Sequence, residues 1–250
     1  MREGKYGIGA RHKTSEGYWM EIVEKIDRDR RRVRFDNGYE VEVFIQAIRI
    51  GEIKNPYHLS VYGVGYFGVG EYKGNINRRN TPEYAVWQSM FQRCYDKKIQ
   101  EKYPTYKGVV VCKEWHNFQN FAQWYHDNFP KIEGVKFHLD KDLLQQPVEN
   151  KTYSPDTCVF LPKNVNTFLS NKHSDNTSGY IGVICNKSNK KWRAQINLFG
   201  EGKRKSLGYF FNPEEASLAY QSARKIEAEK VKDYLRSLNY LSEEIIRLIC

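Results

Sequence analysis

Residues 190–220 read KKWRAQINLFGEGKRKSLGYFFNPEEASLAY. Within this stretch Trp192, Ala194, Ile196 and Leu198 alternate with Arg193, Gln195 and Asn197, the period of a half-buried strand. Gly200-Glu201-Gly202 turns the chain, and 203–210 continues as a strand in which Arg204 and Ser206 alternate with Lys205 and Leu207. Upstream, residues 179–185 are strand-like and 186–190 form a polar turn. Downstream, Asn212 is placed to cap a helix that has Pro213 at its first position and Glu214 and Glu215 in its first turn. Ala216, Ala219, Tyr220, Ala223 and Ile226 form the apolar stripe of that helix, and its small alanines allow close approach to a sheet. The expectation is a three-stranded antiparallel sheet with one face under a helix and one face bare. The bare face would display Arg193, Gln195, Asn197 and Arg204, residue types that pair with base edges and phosphates. Lys203, Lys205 and Ser206 complete the candidate DNA-binding set.

The charge distribution isolates the same segment. The 250-residue chain carries 40 Lys+Arg against 30 Asp+Glu, for +10. Residues 178–211 hold seven basic residues and one acid, whereas 212–236 hold five of each. A short patch of this kind is the footprint of a polyanion binder, since each neutralised phosphate releases a counterion. At 40% apolar and 14% aromatic the chain can pack a core, which excludes global disorder. Its length suggests two domains or three small ones. No stretch reaches the ~18 apolar residues of a membrane helix. MREGKYGIGARHK lacks the apolar region of a signal peptide. Five scattered cysteines suit a reducing cytosol better than a disulfide framework, so a cytoplasmic location is expected.

Residues 1–54 read as a small β-barrel-like module. Residues 18–26 are apolar-rich, Val33 and Phe35 alternate with Arg32 and Arg34, and Asp36-Asn37-Gly38 is a hairpin turn. Such a module is similar to Tudor-like or chromo-like domains, a likeness of fold that does not specify function. Residues 55–82, rich in Gly and Pro, read as a linker or extended loop. Their glycines precede no Lys-Ser/Thr, so they make no phosphate loop.

Residues 83–177 are where chemistry is expected. EYAVWQSMFQRCYD (83–96) has a helical apolar stripe at 86, 87, 90, 91 and 94. FQNFAQWYHDNF (118–129) carries aromatics at 118, 121, 124/125 and 129, most simply a core-facing helix. A β run at 107–112, a strand over 135–144, a polar loop, a strand over 157–161 and a helix from Pro162 follow.

The motifs YIGV (180–183), KWRAQI (191–196), LGYF (207–210) and PEEA…AY…A (213–223) together resemble the plant ethylene-response-factor-type DNA-binding domain, which also occurs in phage and mobile-element endonucleases. That resemblance implies contact with DNA from the exposed sheet face, at Gln195, Asn197, Arg204 and Ser206. Two arginines of the family's first strand are replaced here by Ile181 and Ile184, and a contacting tryptophan by Ser206. Trp192 falls at a core aromatic position of the family. RCYD…YKGVVVCKEWHNFQNF…LDKD…NKTYSPDTCVFLPKNVN, over roughly 84–171, resembles the HNH, or His-Me finger, nuclease unit of phage genomes. That resemblance implies hydrolysis of a DNA phosphodiester assisted by one Mg²⁺ or Mn²⁺ ion, with Asp140 and Asn166 (or Asn164) as ligands.

Standard members read Asp-His at the strand end, and this chain reads Asp140-Lys141. Lysine, with a usual pKa of about 10.4, is a poor base at neutral pH. His138, two residues before Asp140 on the same face of an extended strand, is the displaced candidate base, with a satisfied or exposed strand histidine as the plainer reading. Asp142 offers a second carboxylate and Tyr153 a phosphate ligand, although residues 150–156 read equally as a turn-rich loop through Ser154-Pro155-Asp156. The candidate catalytic set is thus His138, Asp140, Lys141 and Asp142. Cys94, Cys112 and Cys158, with His116 and His126, lack a C-x2-C pair, so they read as small buried residues, with structural Zn²⁺ as the lesser alternative.

Residues 237–250 form an amphipathic tail helix capped by Ser242, which packs on the body or makes a homodimer contact. The class expected is α+β. It comprises the N-terminal β barrel, a central HNH-like ββα unit with helices, and over 178–236 the three-stranded sheet plus helix. The function expected is a double-stranded-DNA endonuclease of phage or mobile-element type. The alternative is an inactive HNH-like scaffold that binds DNA as a regulator or a host protein as a counter-defence factor. Recognition of single-stranded RNA by exposed aromatics is a third, weaker reading.

Overall fold

The alternation of Met20 and Ile22 in one strand with Val33 and Phe35 in the next gives one face of the N-terminal sheet its apolar character. In the computed structural model, which describes residues 4–145, 151–170, 178–186 and 190–250, strands β1 (Arg11–Lys13), β2 (Trp19–Lys25), β3 (Arg30–Phe35) and β4 (Glu40–Phe44) form an antiparallel meander in sequence order. Met20, Ile22, Val33 and Phe35 are buried with Ile48 of helix α1 (Ile45–Ile50) and Ile53. The β3–β4 hairpin turns at Gly38, φ +87°, as Asn37-Gly38 predicts. The expected barrel is corrected: β1 and β4 are unpaired edges of an open sheet. The outward arginines of β3 do not form a free basic patch. Arg30 pairs with Asp27 at 2.8 Å, Arg32 with Glu24 and Glu42 at 2.5 and 2.8 Å, and Arg34 with Glu40 at 2.7 Å. The buried Arg31 guanidinium donates to the carbonyls of Tyr6, Asp27 and Arg30.

The chain divides into two units, residues 1–105 with 113–123, and 106–112 with 124–250. The first contains the open sheet, the short pair β5 (Asn75–Ile76) and β6 (Arg79–Asn80), and helices α2 (Pro82–Tyr95) and α3 (Lys97–Lys102). It ends with the first half of α4 (Phe118–Asn128). Trp87, Met90, Phe91 and Cys94 are the buried stripe of α2, and Trp87 Nε1 donates to the Trp115 carbonyl at 2.7 Å. Residues 55–82, expected as a linker or extended loop, run mostly as turns and loop and belong to this unit. Tyr66 bridges to Asn117, and the Gln119 side chain accepts from the Tyr72 N–H and donates to the Tyr72 carbonyl, both at 3.0 Å.

In the second unit β7 (Val110–Val111) pairs in parallel with β9 (Thr152–Tyr153). Strand β8 (Phe137–Asp140) pairs antiparallel with β10 (Val159–Pro162), and helix α5 (Lys163–Leu169) packs on both. Strands β11 (Val183–Asn186), β12 (Lys191–Asn197) and β13 (Arg204–Phe210) form the C-terminal antiparallel sheet. The expected ββα unit and three-stranded sheet are both present; residues 146–150 of the polar loop and 187–189 of the β11–β12 turn lie outside the described residues. Helix α6 (Pro213–Leu238) starts as predicted, with the Asn212 side chain accepting from Glu215 N–H at 2.8 Å. Its first half covers Val183 and Ala194 through Ala216. Its second half buries Ala228, Val231 and Leu235 against Leu143, Val159, Leu161 and Val165. Helix α7 (Glu243–Arg247), capped by Ser242, adds Ile246, and the following Ile249 joins the same cluster, so the tail packs on the body of this unit. No helix among the described residues is long and apolar enough to cross a membrane.

Candidate nucleic-acid interface and the ββα unit

Cross-strand register determines which side chains share the open face of the C-terminal sheet. Asn197 lies opposite Arg204, Gln195 opposite Ser206, and Arg193 between Ile184 and Tyr209. Arg204 Nε donates to Asn197 Oδ1 at 3.1 Å, which leaves the Asn197 amide N–H groups directed elsewhere. At the far end the Lys191 ammonium sits 4.7 Å from the centre of the Phe211 ring, which is 82% exposed. The face thus combines cations, amides and exposed aromatics, the mixture that meets phosphates and base edges. Trp192 lies on the opposite face, packed with Phe210 against the core under α6.

A register shift at Ala194/Gln195 inserts Leu207 as an extra residue in β13. Gly208, at φ +127°, supplies the backbone that the bulge needs. After the bulge, Lys205 faces Ile196 on the helix side, where its charge acts on Glu227 of α6. The structure therefore separates Lys205 from Arg193, Gln195, Asn197, Arg204 and Ser206, while Lys203 is exposed at the turn before β13. Lys191, Tyr209 and Phe211 join the face and were absent from the sequence-derived set. Parity with Arg193 identifies Lys191. Tyr209 and Phe211 depend on the bulge, which no sequence period marks.

In the β8–β10–α5 unit, Asp140 pairs with Val159 at the strand end. The Asp140 carboxylate is 8% exposed, and its Oδ1 accepts from the N–H groups of Leu143 at 2.8 Å and Asp142 at 2.9 Å. Burial raises its pKa above the ordinary range, and those two N–H groups only partly oppose the rise. Lys141 is 4% exposed; its Nζ donates to Asp142 at 2.6 Å and lies 5.7 and 5.8 Å from the rings of Tyr106 and Tyr153. Lys151 donates to the same Asp142 oxygen. For Asp142, burial raises the pKa, but the two lysines outweigh it and hold the carboxyl below its usual range. Gln145 closes the loop by donating to the Thr152 carbonyl and accepting from its N–H, both at 2.9 Å.

The structure brings Asp140, Lys141 and Asp142 together with Lys151, Tyr106 and Tyr153, and it leaves His138 exposed on β8 and Asn166 half-buried on α5. Tyr153, expected as a phosphate ligand or as part of a turn-rich loop, is buried and forms one wall of the cage around Lys141. Cys158 is buried and its thiol is pushed up to about 12, chiefly by desolvation. One Asp140 oxygen serves the turn and Asp142 is neutralised by two ammonium groups. Among the described residues no group of three His, Cys, Asp or Glu is placed to hold a metal ion.

Comparison of the chain with protein-family models, curated proteins and solved structures gave no match.

Proposed function

We propose that the protein is a duplex-DNA-binding protein of phage or mobile-element type that grips DNA through the open face of β11–β13, next to an HNH-like ββα unit. The observation that carries this reading is the uncovered polar face formed by Arg193, Gln195, Asn197, Arg204 and Ser206, with Lys191 and Phe211 at its end. A β-sheet of this kind enters the major groove as β-ribbon readers do. The test is a salt titration of duplex binding: Arg193→Ala with Arg204→Ala weakens binding at least tenfold and lowers the salt slope by about two. Wild-type protein with no affinity for duplex DNA at low salt would sink the reading. Single-stranded RNA as the stronger competitor would redirect it to RNA.

Two readings of the ββα unit differ in chemistry. The nuclease reading rests on its strand–loop–strand–helix order and assigns Asp140 and Asn166 to a Mg²⁺ or Mn²⁺ ion and His138 to proton transfer. The non-catalytic reading, a DNA-bound regulator or an inhibitor of a host protein, is favoured by the caged Lys141 and by the service of Asp140 in the turn. Incubation of supercoiled plasmid with Mg²⁺ or Mn²⁺ separates them. Nicking by wild type that Asp140→Asn abolishes supports the nuclease. Equal, absent nicking by both proteins, with DNA binding intact, supports the scaffold.

A further inference from the structure

A cleft of about 620 Å³ opens between the β12–β13 turn and the β8/α5 corner of the second unit. Its floor is aromatic: Phe168, Phe199 and Tyr234, with ring centres 6.3 and 5.5 Å apart in sequence along the floor. Lys136 and Lys163 line one wall, and the Lys163 N–H donates to the Lys136 carbonyl at 2.8 Å, so the two cations spring from adjacent backbone. Both side chains are exposed, and among the described residues no carboxylate pairs with either. Two lysines without a carboxylate partner that line one cleft favour an anion there. Asn197 both lines this cleft and belongs to the open sheet face. The volume lies within the ~300–1,000 Å³ of small-ligand clefts.

We propose that this cleft receives one nucleotide unit of the DNA strand that leaves the open sheet face at Asn197. Its phosphate sits between Lys136 and Lys163, and its sugar packs against the Phe199 side of the aromatic floor, since the Arg224 guanidinium lies 4.4 Å from the Phe168 ring centre. The inference rests on the DNA-binding reading and extends the DNA track from the sheet to the ββα unit. Phosphate and sugar are common to every nucleotide, so the contact is indifferent to sequence.

The test is fluorescence polarisation of the full chain with a short labelled duplex over a salt series. Lys136→Ala with Lys163→Ala is expected to lower the slope of log K against log salt by about one and to weaken binding about tenfold or more at low salt. Lys136→Arg with Lys163→Arg restores most of the slope. Unchanged thermal melting of both variants shows that the fold is intact. Wild-type protein that binds, with a double alanine variant of equal affinity and slope, overturns the inference alone. Wild-type protein that does not bind duplex DNA overturns the DNA-binding reading and the inference together. Titration with a free deoxynucleoside monophosphate is the third arm. Lysine-dependent binding of the free nucleotide, with an unchanged duplex slope, overturns the strand assignment.

Discussion

At the scale of single residues, Asp140 separates a structural role from a chemical one. Its Oδ1 caps the turn at 141–143, a task that an amide oxygen performs equally well. Asp140→Asn is therefore expected to unfold within about 0.5 kcal/mol of wild type, and Asp140→Ala to lose about 1–2 kcal/mol, read by urea denaturation. An Asn variant as unstable as the Ala variant would show that the negative charge, not the acceptor, holds the turn. Gly182 is the sharper steric case. It sits at φ +72°, and a Cβ there would lie 2.1 Å from Tyr220 Cδ2 and 2.8 Å from the Gln195 carbonyl. Gly182→Ala should cost roughly 2–4 kcal/mol in the same measurement, because both backbone strain and overpacking oppose it. The glycine was visible in the sequence as part of a strand motif. Its close approach to Tyr220, 38 positions later, was not.

Among the elements, α6 is tied to the β12–β13 hairpin through one carboxylate. Glu227 is buried, accepts the Phe199 N–H at 2.7 Å and the Lys230 ammonium at 2.8 Å, and also feels the charge of Lys205. Burial raises its pKa, but these partners outweigh burial and leave it below the ordinary glutamate range. A lowered folded pKa means that the folded state binds this proton less readily than the unfolded chain. The stabilisation is complete above the unfolded value and is lost as pH falls through the lower folded value. Glu227→Gln should flatten the acid limb of the stability–pH curve below about pH 4.5 and cost about 1–3 kcal/mol at neutral pH. An unchanged acid limb would refute the assignment. The helix itself was legible from Asn212-Pro213-Glu214-Glu215, because caps are local chemistry. The bulge at Leu207 and Gly208 was not, because it is set by which residue of β12 each residue of β13 meets.

Over the molecule as a whole, each unit was only partly foreseen. The N-terminal strands and their Asn37-Gly38 turn follow from alternation and turn chemistry, but closure into a barrel requires edge pairing that alternation does not encode. The glycine-rich stretch 55–82 looked like a linker because its glycines suggested freedom. In fact they permit close approach: a Cβ on Gly68 would lie 1.9 Å from Asn117 Oδ1, and one on Gly70 2.3 Å from Gln119 Oε1. In the second unit α6 serves two clusters, one under the sheet and one on β10 and α5. Leu235→Ala, in a fully buried position, should cost about 2–5 kcal/mol. It should also lower amide hydrogen-exchange protection in β10 and in β12 together. Loss confined to β10 would mean that the two clusters unfold independently.

The sequence by itself determined the strand and helix types, the helix caps, the basic segment at 178–211 and the order of the C-terminal elements, since these rest on period, capping and composition within a few residues. The tertiary structure alone decided that Lys205 lies on the side of Glu227, that Lys141 is caged between Tyr106 and Tyr153, and that Asn197 lines the same cleft as Lys136 and Lys163. Those are contacts between residues far apart in the chain, and they arise only when register and packing bring distant side chains to the same place.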